Sequence, residues 1–113
     1  MRTIITALAM VIATLSTVQA QDADTTITKT FLDGCRDKAD DHNFSFCVGY
    51  VVGVSQFLVH VGTNAFVCFP KGVMSDQLIT AVLKYADSHK SEWDKGPLTI
   101  VLPAMAAAFP CPK

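Results

Sequence analysis

The chain has a single glutamate and a single tryptophan, and they are neighbours: Glu92 and Trp93. Charge is scarce as well. Only 17% of residues are Asp, Glu, Lys or Arg, against about a quarter in ordinary soluble domains. No run of Lys or Arg occurs, so nothing is laid out to neutralise a phosphate backbone, and nucleic acid is not an expected partner. No glycine-rich phosphate loop, His-Glu-x-x-His or Gly-x-Ser-x-Gly is present, which removes the common signatures of nucleotide, zinc-protease and hydrolase chemistry. His42, His60 and His89 are well separated along the chain. There is no Cys-x-x-Cys pair to hold zinc. The expectation is a non-enzyme with no cofactor and no metal.

Long hydrophobic runs are also missing after the N-terminus. The stretch 44–61 comes closest, but Ser45, Ser55, Gln56 and His60 interrupt it, so no permanent membrane anchor is expected. The first 20 residues differ in kind. Met1-Arg2-Thr3 is a short basic start, an apolar run from Ile4 to Leu15 follows, and Val18-Gln19-Ala20 has the character of a signal-peptidase site. This predicts a signal peptide over 1–20, cleaved after Ala20, and a periplasmic product. Residues 21–113 are then expected to form a single domain. Loss of Arg2 with the leader takes the net charge from −1 to about −2.

Four cysteines lie beyond that cut: Cys35, Cys47, Cys68 and Cys111. An even number in a short exported chain predicts two disulfides. A domain of this size has a modest core, so covalent constraint of about 3 kcal/mol per bridge matters.

Apolar residues recur at helical spacing in four segments. The first carries Ile27, Phe31, Leu32, Cys35 and Ala39, with its end expected near residue 42. The second, 44–61, is apolar nearly all round. Its one other stripe is Gly49, Gly53, Gln56 and His60, which suggests a central helix, or one shared with a second subunit, approached closely by a neighbour at its glycines. Pro70 and Gly72 break the connector that follows. The third segment, N-capped by Ser75, carries Leu78, Ile79, Val82, Leu83, Tyr85 and Ala86. The fourth runs 98–109 and should kink or split at Pro103. The predicted fold is all-α, a compact bundle of about four helices with two disulfides. In an antiparallel arrangement Cys35 meets Cys47 at one end, and Cys68 meets Cys111 at the other.

Two polar features remain. Asp33, Asp37 and Asp41 fall at i, i+4, i+8, an acidic stripe best read as a solvated face. The segment His89-Lys90-Ser91-Glu92-Trp93-Asp94-Lys95 is a charged loop around the lone Trp. That ring either folds back on a neighbouring helix or anchors a partner, as exposed Trp does at interface hot spots.

The segments "FCVGYVVGV" (46–54), "VCFPKGVMSDQLITAVLKYADSH" (67–89) and "AMAAAFPC" (104–111) together resemble the immunity proteins of type VI secretion amidases, the Tai/Rap family of resistance-associated proteins. In that family a Cys-x-Gly-Tyr segment opens a long helix, a Cys-x-Pro-x-Gly-Val segment leads into the next, and an Ala-rich helix ends in Phe-Pro-Cys. The resemblance covers about residues 31–111. It implies a periplasmic, helical, disulfide-bonded protein, commonly a homodimer, that binds an injected peptidoglycan amidase and occludes its catalytic groove with a loop. The corresponding residues here are His89, Lys90, Ser91, Glu92, Trp93, Asp94 and Lys95. Two departures stand out: His89-Lys90 replaces a frequent His-Pro, and Pro103 falls in a helix that is otherwise Ala/Leu. The alternative reading from the residues is a small periplasmic chaperone or ligand carrier, which the broad apolar face of the second helix would also suit.

Overall fold

A computed structural model describes residues 21–62 and 66–113, with side chains from residue 27 onward. The expected signal peptide lies outside the described residues, as do residues 63–65. Four α-helices and one 3-10 helix make up the described fold: α1 (Gln21–Arg36), α2 (Asp41–His60), α3 (Ser75–Ser88), the 3-10 helix Lys90–Lys95, and α4 (Leu98–Ala108). No strand occurs among the described residues, so the all-α bundle is the architecture observed.

One core draws on all four α-helices. Leu32 of α1, Val51 of α2, Val82 of α3, and Ile100, Val101 and Met105 of α4 are completely buried. Burial of a large aliphatic side chain of this kind contributes about 2 kcal/mol. Phe31, Phe46 and Tyr50 form an aromatic cluster joining α1 to α2, with the Phe31 and Tyr50 ring centroids 5.0 Å apart. Both disulfides connect the pairs that the topology suggested, Cys35–Cys47 and Cys68–Cys111. The second is reinforced by the Cys68 amide, which donates to the Phe109 carbonyl over 2.8 Å. That bond holds the connector against the end of α4.

Several boundaries and faces differ from the sequence expectation. The first helix stops at Arg36, not near 42, because Asp40 caps α2. Its carboxylate accepts from the Asn43 amide at 3.1 Å and from Asn43 Nδ2 at 2.6 Å. Asp37 closes the intervening turn by accepting from the Ala39 amide at 3.1 Å, the local bond that favours Asp in turns. The acidic stripe is therefore broken: Asp33 is on α1, Asp37 in the turn and Asp41 at the start of α2. In α3, Met74 takes the cap position instead of Ser75, and the Gln77 side chain accepts from the Met74 amide at 2.8 Å.

Helix α4 runs unbroken through Pro103. The bond that proline removes is the one to the Thr99 carbonyl, and Thr99 lies on the exposed side near the start of the helix, where solvent can hydrate the freed oxygen.

The expected close approach at Gly49 and Gly53 is absent: a Cβ added at either would meet nothing within 4 Å. The close approach occurs at Gly34, where a Cβ would lie 3.0 Å from the Asn43 carbonyl oxygen. Nor is α2 central. Cys47, Val51, Ser55 and Leu58 face inward, while Phe46 and Phe57 are 60% and 62% exposed. By length and composition α2 passes for a membrane span, with a mean hydropathy of 1.2. Its inner face is nevertheless committed to the core, and Cys47 ties it to α1.

Candidate functional site

The charged segment after α3 is ordered by the end of that helix. The last carbonyls of a helix lack intrahelical donors, and α3 has no basic residue in its last turn to offset them. The last helix residue and those just beyond it supply donors instead. His89 Nδ1 lies 2.8 Å from the Tyr85 carbonyl oxygen. A carbonyl only accepts, so this nitrogen carries a proton. The imidazole is stacked on the Tyr85 ring at 3.7 Å between centroids and 6° between planes. Ser88 Oγ reaches the Lys84 and Tyr85 carbonyls, each at 3.2 Å.

Trp93 completes this cap from seven residues away. Its indole Nε1 donates to the Ala86 carbonyl over 3.0 Å, and the same oxygen accepts from the His89 amide at 3.2 Å. The ring is half-buried against the core. The Arg36 guanidinium carbon sits 5.9 Å from its centroid. Arg36 in turn pairs with Asp87 of α3, and its other nitrogen lies 3.8 Å from Asp33. The segment is therefore packed on both α1 and α3.

Held this way, Lys90–Lys95 winds into a 3-10 helix in place of an open loop. The Glu92 amide donates to the His89 carbonyl at 3.0 Å. Three residues per turn align positions i and i+3, and Lys95 Nζ meets Glu92 Oε2 at 2.9 Å. That contact, aided by the nearby Asp94 charge, raises the Lys95 pKa above its ordinary value. Gly96 ends the turn at φ +91°, a conformation that L side chains rarely adopt. Thr99 Oγ1 then donates to the Gly96 carbonyl at 2.6 Å, fixing the entry to α4.

The outcome separates the seven sequence-selected residues into two groups. His89, Glu92 and Trp93 are part-buried and engaged within the chain, while Lys90, Ser91, Asp94 and Lys95 are exposed. Among the described residues, Lys90 and Asp94 have no ion pair. The residues that sequence reasoning missed are Tyr85, Ala86 and Asp87 on α3 and Arg36 on α1. Their one signal is that Arg36 is the sole arginine after residue 20.

Other polar groups do not converge. His60, with Gln56, is on the exposed face of α2. His42 lines a shallow groove of about 350 Å³ with Ile27, Phe31 and Phe46, remote in sequence and element from the 3-10 helix. All four cysteines are bonded, so no thiol is available as a nucleophile. Among the described residues no group of three His, Cys, Asp or Glu is arranged to hold a metal ion.

Residues 27–111 match the family model described as Rap1a immunity proteins. No curated protein and no solved structure matches the chain.

Proposed function

The chain belongs to the Rap1a immunity protein family, and from that premise we propose that it is a periplasmic immunity protein that binds a secreted peptidoglycan amidase and occludes its active-site cleft. Membership of the family implies action against a secreted effector. The observation carrying the finer reading is the 3-10 helix Lys90–Lys95, whose exposed Lys90, Ser91, Asp94 and Lys95 stand on a base fixed by Trp93. A pre-ordered element loses little conformational freedom on binding, so more of its contact energy appears as affinity. The mechanism is steric: the segment enters or covers the cleft, substrate cross-links are excluded, and this protein performs no chemistry.

Export is supported by the N-terminal pattern of residues 1–20 and by two disulfides, which persist in oxidising compartments. A homodimer is supported by the outer side of α2, where Phe46 and Phe57 are exposed beside Gly49 and Gly53. Two exposed aromatics with small residues between them suit a second copy packed against this side. The same face favours the second reading, a periplasmic chaperone or carrier.

The test is inhibition of peptidoglycan cleavage by the amidase encoded beside this gene, using the oxidised protein and its Lys90→Glu/Asp94→Lys double variant. Inhibition by the first and not by the second supports occlusion through the segment. Inhibition by both keeps immunity and moves the contact elsewhere. Absence of any binding, with apolar dye bound by the native protein, favours the carrier.

A further inference from the structure

We infer that Arg36 is the positioning residue of the Lys90–Lys95 segment, the side chain that holds it in its binding geometry from outside the segment itself. The inference rests on the proposed role of that segment. The distance in sequence is large, and Arg36 lies on a different element, yet it links the Trp93 ring to α3. Its guanidinium carbon is 5.9 Å from the Trp93 ring centroid, it pairs with Asp87 one residue after the Ala86 carbonyl that receives the indole N–H, and it also reaches Asp33. A planar guanidinium is suited to this double task, since it can lie over an aromatic face while its edge bonds a carboxylate. The base from which Arg36 acts is itself rigid. Cys35 is buried and bonded to Cys47, so the last turn of α1 is covalently fastened to α2.

Exposure separates positioning from mere stability. The Arg36 and Asp87 side chains are 36% and 60% exposed, and an ion pair this open to solvent adds little to global stability. Its effect is on the local equilibrium between a docked and a released segment, which opens independently of the core. Loss of Arg36 leaves the four-helix bundle folded and lets the 3-10 helix detach more often.

Arg36→Ala and Asp87→Asn test this, singly and together, in the oxidised protein. Three readouts are taken: amide hydrogen exchange, acrylamide quenching of Trp93, and affinity for the neighbouring amidase. Trp93 is the chain's sole tryptophan, so its quenching reports this locus alone. The expected result for Arg36→Ala is exchange about tenfold faster at residues 90–95 with core exchange in α3 and α4 unchanged, stronger quenching, and an affinity that falls in proportion to the docked fraction the exchange reports. The double variant should be no worse than Arg36→Ala, because both partners serve one interaction. Unchanged exchange and quenching would overturn the inference without reference to any partner. An affinity that does not follow the docked fraction reported by exchange overturns it too, and the Lys90→Glu/Asp94→Lys variant then shows what failed. If that variant loses binding, the segment is the contact but its ordering is irrelevant. If it also binds normally, the segment is not the contact.

Discussion

The indole nitrogen of Trp93 and the carbonyl oxygen of Ala86, 3.0 Å apart, are joined across seven residues at the C-terminus of α3. This one bond caps a helix and anchors the turn that follows it. The ring lies half-buried between α1 and α3, so the lone tryptophan serves packing.

Replacing Trp93 therefore affects stability in two separable steps. Trp93→Phe keeps a ring and loses the N–H, leaving a helix-terminal carbonyl with one donor fewer, at a cost of about 1 kcal/mol. Trp93→Ala also removes the packing and should lose about 2 kcal/mol, less than a fully buried aromatic because the ring is half exposed. Urea unfolding of the oxidised proteins measures both.

Glycine substitutions should have opposite signs at two sites. Gly34→Ala places a methyl 3.0 Å from the Asn43 carbonyl oxygen and 3.1 Å from its Cβ. The resulting displacement of α2 should outweigh the better helix propensity and destabilise by about 1–2 kcal/mol. Gly53→Ala meets nothing within 4 Å and should stabilise the monomer by about 0.5–1 kcal/mol. Thermal unfolding at low protein concentration reads both values without a contribution from association.

The two disulfides should differ in strength and in order of reduction. Their sequence separations are 12 and 43 residues. Chain entropy then assigns about 3 kcal/mol to Cys35–Cys47 and about 4 kcal/mol to Cys68–Cys111. Accessibility works the other way, because Cys35 and Cys47 are buried and Cys68 and Cys111 only partly so. Limited reduction followed by alkylation and peptide mapping should label Cys68 and Cys111 first. Paired Cys→Ser variants should show the larger stability loss for that same bridge.

Acid should weaken the start of α2. Bonds from the Asn43 amide and side chain hold the Asp40 carboxyl below its ordinary value of 3.8. A carboxyl with a lower pKa in the folded state stabilises the fold above the unfolded value and loses that contribution as pH falls through the folded one. Asp40→Ala should thus lower Tm by a few degrees at neutral pH. The gap between the two proteins should close on acidification below pH 3.8. Melting curves across that range, followed by circular dichroism, decide it.

The sequence by itself determined the class of fold, the disulfide framework and the family. Helical spacing of apolar residues is a local property, and it located all four α-helices. Three cysteine-containing segments carried the family resemblance, and residues 27–111 match that family. Tertiary structure decided what local pattern cannot encode. Spacing cannot reveal which face of an apolar helix is covered, so α2 looked central when its Phe46 and Phe57 face outward. Composition cannot reveal which glycine lies where two backbones meet, and that position is Gly34, not Gly49 or Gly53. A charged stretch reads as a loop until another element orders it. Here the carbonyl of Ala86 at the end of α3 and the guanidinium of Arg36 draw Trp93 inward, and residues 90–95 wind into a helical turn because both ends of that contact are already fixed by the packed bundle.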